Sequence, residues 1–541
     1  MKRSKRLLAL ALSLLLCFSL LAGCGGGSES GKTNPTENPS DSNQSGTNFT
    51  DQGSLEVKGS DSENAEYQKA LTVIIDNNKI NSLDPAIGNT NTCKWAFNMM
   101  YDRLLTTQSD GTIIPELAEE YSTEDYQHFT FKLRQDVDFW NGEHFTADDV
   151  AFTIDRGRND SLGTSAYDVW SAVESYNVAD DYTIEITLKS VNIDFPYNLT
   201  LAHAGIMNRE AVEADSDKGP WVSTGPWKVV DFVSNDYATM ERNDGYWGEV
   251  PKTEKITLKY VAEEATRLIM LENGEADAAF SINPSDFPYM EADSRFATYS
   301  YTVNNNSYIG FNMEDPICGD LNFRMAVASV LNREEIVAYR GKYIVPGEYG
   351  TFWGYGTEFK DTSIEKIPYD VEAAKEYLAK SPYNGETIEI VCAFSDLLNM
   401  SQVMQAELAE IGINISINQT DAPGMNSYTA WDNNQAQMVC YTGAWTGVAS
   451  SCRPYFYSKG AANRAHYVNP EVEALLDAAQ AETDAAAREA LYKQVQAIVA
   501  VDIPYITLGN LTHVVGCLAG VSGMRLNADA SHDLTYIVRE I

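Results

Sequence analysis

The chain has 541 residues and a formal net charge of −38 at pH 7, and both values limit what it can be. A single hydrophobic core stops growing at about 250–300 residues, so this length predicts at least two structural units. Hydrophobic residues make up 44% of the chain, which is ordinary for a folded protein. The acidity argues against a nucleic-acid partner, because phosphates are bound by lysine and arginine side chains.

The N-terminus has the features of a secretory signal. Basic residues precede an apolar run over 7–21, which is shorter than a membrane-spanning helix needs. The run ends in Leu-Ala-Gly-Cys, and this tetrapeptide resembles the bacterial lipobox, in which the cysteine is acylated and becomes the new N-terminus. The sequence predicts a signal peptide over 1–23 and a lipoprotein with palmitate-type acylation on Cys24. An ordinary signal peptide that is cleaved nearby is the alternative.

The segment that follows, 24–66, is rich in Gly, Ser, Asn and Thr and has almost no apolar side chains. Such a segment cannot bury enough surface to offset its ordering entropy, so we predict a disordered tether to the membrane. The cysteines beyond Cys24 are candidates for disulfides in an extracytoplasmic compartment, but sequence alone leaves their pairing open. They are Cys93, Cys318, Cys392, Cys440, Cys452 and Cys517.

In the first half of the chain, apolar patterns predict alternating strands and helices. We expect strands at 71–75 and 129–134 and a helix over 95–105. A capping box at 146–149 predicts the start of a further helix. Gly274 is placed to end a helix before a returning strand.

The stretch 304–341 is predicted to be the crossover between the two halves. A short strand at 308–312 is followed by Asp320, which is placed to cap a helix. Strand–helix–strand alternation then predicts a partly parallel sheet that is covered by helices. The remaining predicted elements are strands at 386–394, 413–417, 437–445, 505–508 and 514–521 and helices at 397–411, 471–481 and 484–501.

Several sequence blocks, in order between 69 and 541, resemble one known family. The blocks are SLDPAIGNTNTCKWAFNMMYDRLL, FWNGEHFTADDVAF, STGPWKV, ERNDGYWGEV, LENGEAD and the stretch 304–341, with Asn312, Asp320, Arg324 and Arg333 in the matching places. They resemble the family-5 extracellular solute-binding proteins, which include the oligopeptide-, dipeptide- and nickel-binding proteins of ABC importers.

The resemblance implies an α/β fold, a two-lobe periplasmic-binding-protein-like clamp of the cluster C type with an extra subdomain inserted in the first lobe. The implied boundaries are 67–90, 210–303 and 505–541 for lobe I, 91–209 for the inserted subdomain and 304–504 for lobe II. The implied function is non-catalytic capture of a peptide or peptide-like solute at the extracytoplasmic face of the cell membrane. The implied partners are an ABC permease and its ATPase subunits, with the protein itself a monomer that needs no cofactor or metal.

The resemblance also points to ligand-binding residues in both lobes. In lobe II, aromatic side chains would enclose the solute, and Arg453 could meet a carboxylate. Peptide binders of the family commonly carry an amine-binding Asp three residues after the Trp of a Gly-Trp block, but Val448 stands in that place after Trp445 here. The implied set is Asn89, Thr90, Phe280, Ser281, Asn283, Trp353, Tyr441, Trp445, Arg453 and Asn463.

Other classes of function remain as alternatives. A nickel, haem, metal-chelate or oligosaccharide binder of the same fold is one, and His466 is the best candidate metal ligand. A secreted hydrolase is disfavoured, because neither HExxH nor GxSxG occurs. A surface sensor or adhesin without a permease is the last alternative.

Overall fold

The computed structural model describes residues 54–59, 65–75, 79–108, 111–159, 165–347, 359–364, 367–393, 395–444, 448–458, 460 and 462–541. The chain divides into the units 1–44 and 45–541, and all described residues belong to the second. The predictions for Cys24, Trp353, Trp445 and most of the tether lie outside the described residues.

The strands share the composition expected of partly buried sheet, with β-branched and aromatic residues frequent in them. In chain order they are β1 (Ser54–Val57), β2 (Ala70–Ile74), β3 (Leu105–Thr107), β4 (Ile113–Pro115), β5 (Ala118–Ser122), β6 (His128–Leu133), β7 (Val173–Asp180), β8 (Thr183–Leu188), β9 (Trp227–Val233), β10 (Tyr237–Arg242), β11 (Lys255–Lys259), β12 (Ala278–Phe280), β13 (Phe296–Phe311), β14 (Ile344–Pro346), β15 (Thr387–Ala393), β16 (Asn414–Thr420), β17 (Met438–Ala444), β18 (Tyr505–Leu518), β19 (Val521–Ser522), β20 (Met524–Asn527) and β21 (Val538–Arg539).

Many of the helices begin at a side-chain cap, as the sequence patterns indicated. In chain order they are α1 (Asn91–Met100), α2 (Ala147–Gly157), α3 (Ser165–Trp170), α4 (Phe195–Asn198), α5 (Arg209–Ala214), α6 (Glu264–Glu272), α7 (Phe287–Ala292), α8 (Leu321–Val330), α9 (Arg333–Val337), α10 (Val371–Leu378), α11 (Ser395–Glu410), α12 (Ala422–Tyr428), α13 (Val448–Phe456), α14 (Pro470–Ala481) and α15 (Ala485–Asp502).

One mixed sheet of 11 strands organises the fold, in the order β16-β15-β17-β13-β18-β12-β2-β11-β10-β9, with β14 paired to β18. At one end, β15 is parallel to both β16 and β17. Towards the other end, β2 is parallel to both β11 and β12. The predicted strand–helix–strand unit is confirmed, because α11 connects the parallel strands β15 and β16.

Two long strands, β13 and β18, connect the two ends of this sheet. β13 has 16 residues and β18 has 14, and they pair antiparallel from Phe296 opposite Leu518 to Gly310 opposite Tyr505. The prediction of a short strand at 308–312, and of separate strands at 505–508 and 514–521, was wrong. Asn304, Asn305 and Gly509 are poor strand formers, but the long-range pairing overrides their local preference.

A second sheet of four strands, β5-β6-β8-β7, stands apart from the main one. Its core includes Phe129 and Phe131 from β6, and α2 and α3 cover it with Ile154 and Trp170. The predicted extra subdomain corresponds to this sheet.

The structure differs from the predicted tether at β1. Within 24–66, the residues of β1 pair antiparallel with β20, from Ser54 opposite Asn527 to Val57 opposite Met524. Val57 is 6% exposed and joins the core. The alternation of Leu55 and Val57 with polar neighbours is a strand pattern that the polar composition around it obscured.

The sequence left open whether the cysteines form disulfides, and the structure also allows a search for membrane-spanning helices. Each cysteine among the described residues is buried and unpaired, from Cys93 to Cys517. No helix of the part of the chain that the structure describes is both long and apolar enough to span a bilayer.

Candidate functional site

The parallel strands β15, β16 and β17 end at the same edge of the main sheet, which is where open α/β sheets bind ligands. Asp421 follows β16 and caps α12 by accepting a hydrogen bond from the backbone N–H of Gly424 at 2.8 Å. The predicted site residue Tyr441 lies in β17, opposite Tyr308 of β13. We take this edge as the candidate site.

Tyrosine side chains form the floor of this edge. Tyr308, Tyr455 and Tyr505 make edge-to-face contacts, with ring centroids 5.3–6.1 Å apart. Burial raises the pKa of all three phenols well above the usual value, so they are uncharged at neutral pH. The floor is therefore aromatic and polar but carries no charge.

Arg464 covers part of this floor. Its guanidinium lies 4.5 Å from the ring centroid of Tyr441. Its Nη2 donates a hydrogen bond to Oδ1 of Asn426 in α12 at 2.9 Å. Its Nε is shielded from solvent and has no hydrogen-bond partner.

The predicted site residue Asn463 holds the loop that carries Arg464. Asn463 is 3% exposed, and its amide donates to the carbonyl oxygens of Tyr457 at 3.1 Å and Tyr467 at 2.7 Å. The backbone N–H of Ala465, two residues later, donates to the hydroxyl of Tyr505 at 3.2 Å. Asn463 therefore positions a neighbouring side chain, because its own amide is already bound to the backbone.

The structure places Arg453 in an internal ion pair. Its Nη2 lies 2.7 Å from Oδ1 of Asp477, and its guanidinium stands 4.0 Å from the ring centroid of Tyr457. The sequence analysis assigned a carboxylate-binding role to Arg453. In the structure, a carboxylate from α14 already occupies one of its donors.

The candidate metal ligand His466 has both ring nitrogens in contact with protein oxygens. Nε2 is 3.0 Å from the carbonyl oxygen of Thr429, and Nδ1 is 3.2 Å from Oε2 of Glu314. The imidazole stacks on Trp431 at 4.2 Å between ring centroids. Hydrogen bonds from Asn434 and His466 lower the pKa of Glu314. No group of three or more possible metal ligands occurs among the described residues.

In the first half of the chain, the predicted site residues Asn89 and Thr90 lie in the turn before α1. Thr90 caps this helix by accepting a hydrogen bond from the backbone N–H of Cys93 at 3.2 Å. Asn89 accepts one from the side chain of Asn81 at 3.1 Å. Asn89 is exposed, so its amide is accessible to a solute.

The predicted residues Phe280, Ser281 and Asn283 lie at and after the end of β12. Phe280 is 2% exposed and stacks on His532 with ring centroids 5.3 Å apart, so it is a core residue. Ser281 has a φ of 56°, which a side-chain-bearing residue rarely adopts, and its carbonyl oxygen accepts from Arg267 at 2.7 Å. Asn283 donates to Glu264 at 3.1 Å.

The structure thus brings Tyr441, Arg453 and Asn463 into one region and places the first-half residues at two other positions. Sequence reasoning missed Arg464 and the tyrosines at 308, 455 and 505. A cationic residue between Asn463 and His466, in so acidic a chain, was a signal that could have indicated Arg464. The tyrosines carried no such signal, because their proximity depends on three segments that are distant in the sequence.

Comparison with known proteins places this architecture in a family. A family model described as bacterial extracellular solute-binding proteins, family 5, middle region, matches residues 112–465. The chain is similar to the glutathione-binding protein GsiB of Pectobacterium atrosepticum, with 28% identity over 448 residues that cover 79% of this chain and 86% of the relative.

Solved structures of low sequence identity share the fold. One is the ABC transporter-associated periplasmic binding protein DppA from Helicobacter pylori in complex with the peptide STSA, with a TM-score of 0.75, 21% identity, and coverage of 88% of this chain and 98% of that one. Another is NikA from Brucella suis in complex with Fe(III)-EDTA, with a TM-score of 0.77, 22% identity, and coverage of 88% and 100%. The predicted fold class is confirmed, as is the prediction that the protein is not an enzyme. The chain belongs to the family-5 bacterial extracellular solute-binding proteins.

Proposed function

We propose that this protein captures a peptide or peptide-like solute between two lobes and delivers it, chemically unchanged, to the permease of an ABC importer. Family membership supports the general role, and the names of the relatives support the class of solute. The observation that carries the proposal is the pair of continuous strands, β13 and β18, that link the two ends of the main sheet. Two strand connections that lie side by side between two bodies can serve as the hinge of a clamp.

The proposed lobes keep the boundaries that the sequence indicated. Lobe I comprises 67–90, 210–303 and 505–541 and carries the inserted subdomain 91–209, while lobe II comprises 304–504. Separate hydrophobic clusters support this division. One includes Val73 and Trp227 of lobe I, and another includes Phe311 and Phe323 of lobe II. Solute binding would stabilise the closed form by its higher affinity for that form.

The proposed binding residues are those at the sheet edge of lobe II together with Asn89 in lobe I. Tyr441 offers an aromatic surface at this edge, and Trp445 and Trp353 are proposed to enclose the solute with it. Thr90, Ser281 and Asn283 would act through the turns that they hold, because their side-chain or backbone groups bind neighbouring protein atoms.

The proposed location is the extracytoplasmic face of the cell membrane. Cys24 would carry the lipid, and 25–53 would tether the folded part to it. Metabolic labelling with an alkyne-bearing palmitate analogue tests the anchor. Wild-type protein should incorporate the label, and Cys24→Ala should not. Labelling of Cys24→Ala to the wild-type level would remove the anchor from the proposal.

Two measurements test the solute and the clamp. Mass spectrometry of material that mild denaturation releases from purified protein should identify a peptide or an amino-acid conjugate. A sugar or a metal chelate instead would overturn the proposed solute class. Small-angle X-ray scattering should then show a smaller radius of gyration with that compound than without it. An unchanged radius at saturation would refute closure.

A further inference from the structure

The geometry points to Arg464 as the residue that binds a free carboxylate of the solute. This inference rests on the proposed function and adds to it the chemical group that the site recognises. Arg464 was absent from the residues that the family resemblance indicated. Its candidacy comes from its position and its unused hydrogen-bond donors.

The position is the carboxyl edge of the parallel strands. The guanidinium contacts Tyr441 of β17 and Asn426 of α12, and α12 begins directly after β16. Ligands of open α/β sheets bind outside this edge. The Asn463 hydrogen bonds fix the loop below, so the base of the Arg464 side chain is held in place.

The donors of Arg464 are mostly unused. A guanidinium has five N–H donors in a planar fork, and among the described residues Arg464 forms hydrogen bonds with the neutral amide oxygen of Asn426 and the hydroxyl of Tyr308. The shielded Nε–H has no partner at all. An unsatisfied buried donor is costly, so a ligand oxygen that accepts a hydrogen bond from it would be bound favourably.

The charge of Arg464 is also not neutralised. No acidic side chain of the described residues forms an ion pair with it. Burial raises the pKa of the neighbouring phenols of Tyr308, Tyr455 and Tyr505, so these three carry no charge that could neutralise it. Arg453, eleven positions earlier, shows the contrast, because its partner Asp477 lies 2.7 Å away. Two other buried arginines, Arg324 and Arg333, bind backbone carbonyl oxygens instead.

A carboxylate would supply the hydrogen-bond acceptors and the negative charge that Arg464 lacks. Its two oxygens match the guanidinium fork in a bidentate, charge-assisted contact, and the aromatic floor would exclude water from it. Val448 replaces the Asp that is expected to bind an amine, so the sequence offers an anion-binding residue without the expected cation-binding one. The site should therefore bind solutes that have a free carboxylate more tightly than solutes that lack one.

The test uses the purified full chain and two synthetic combinatorial mixtures of tripeptides, one with free carboxyl termini and one with carboxyl-terminal amides. The mixtures differ only in this group. We expect the free-acid mixture to raise the thermal unfolding temperature and the amide mixture to raise it less. Calorimetry on the peptide that is retained best in equilibrium dialysis should show binding about 10- to 100-fold tighter than that of its amide.

Variants assign the effect to Arg464. Arg464→Gln should bind acid and amide equally, and Arg464→Lys should lose part of the preference, because an ammonium keeps the charge but lacks the fork. The control is Arg295→Gln, which removes an exposed arginine whose partner is Asp293 and should keep the wild-type preference. Circular dichroism and the unfolding temperature of each variant without peptide report whether it is folded.

The outcomes distinguish the proposed capture of peptides from the proposed role of Arg464. Equal binding of acid and amide by the wild type would leave peptide capture intact and overturn the role of Arg464. A preserved preference in folded Arg464→Gln or Arg464→Lys would overturn it as well. Binding of neither mixture by the wild type would overturn the proposed function, and this inference with it.

Discussion

At the scale of single residues, a buried carboxylate of this acidic chain is neutralised by a cationic side chain. Asp84, in the Leu-Asp-Pro turn, is 4% exposed and accepts two hydrogen bonds from Arg156 of α2, at 2.6 and 2.5 Å. This bidentate pair joins the turn to the helix that covers the four-stranded sheet. A buried pair of this kind adds little stability by itself, but the loss of one partner leaves an uncompensated charge.

We therefore expect Asp84→Asn to lower the free energy of unfolding by about 3–5 kcal/mol. Urea denaturation at neutral pH measures this difference. The matched control is Asp244→Asn, which removes an exposed carboxylate 2.7 Å from Arg242 and should change stability by less than about 1 kcal/mol. Equal losses of stability in the two variants would show that burial of the Asp84–Arg156 pair does not increase its effect on the free energy of unfolding.

A second residue links stability to pH. Glu407 in α11 is 7% exposed, and burial raises its pKa from 4.5 to about 7. The folded state therefore holds this proton more tightly than the unfolded state. Between these two pKa values, unfolding releases the proton, so stability falls as the pH rises through this window.

The change Glu407→Gln should remove this dependence. We expect wild-type protein to lose on the order of 1–3 kcal/mol more than the variant between pH 4.5 and pH 7. Denaturation at several pH values gives both curves, and Glu376→Gln, at an exposed position of α10, controls for the loss of one charge. Parallel curves for wild type and Glu407→Gln would contradict the assignment.

At the scale of elements, the sequence predicted helix starts well and strand lengths poorly. The cap Asp320, the capping box at Thr146 and the helix stop at Gly274 are all present, because each depends on a few neighbouring residues. The length of β13 depends on pairing with β18, about 200 residues later in the chain, and no local pattern shows that partner. The tyrosine floor was missed for the same reason.

The cap of α8 can be tested directly. Oδ1 of Asp320 accepts a hydrogen bond from the backbone N–H of Phe323 at 3.1 Å. We expect Asp320→Ala to lower the free energy of unfolding by about 0.5–2 kcal/mol. Asp320→Asn keeps an acceptor in the same place and should cost much less, so similar losses in both variants would point to charge instead of capping.

At the scale of the whole molecule, one ion pair joins segments that the proposed clamp assigns to different lobes. Arg488 of α15 contacts Oδ1 of Asp194, the residue before α4. The Arg488 side chain is 12% exposed, and its guanidinium also lies 5.6 Å from the ring centroid of Tyr492. Because the proposed clamp assigns α15 to lobe II and α4 to the inserted subdomain, opening of the proposed clamp would break this pair.

We expect Arg488→Ala to favour the open form. In small-angle X-ray scattering, the variant should keep a larger radius of gyration than wild type at the same concentration of the co-purified solute. The charge-exchanged double variant Arg488→Asp with Asp194→Arg should restore part of the difference. A radius identical to that of wild type throughout the titration would show that the pair does not contribute to closure.

The buried cysteines have a consequence for life outside the cell. Burial raises the pKa of the thiols of Cys318, Cys392, Cys440, Cys452 and Cys517, so each stays protonated as well as hidden. Oxidants and alkylating reagents act on exposed thiolates, and the native fold offers them none of these five. Oxidation or alkylation of these five thiols would then require unfolding, so the modified fraction of a population would increase with the number of unfolding events.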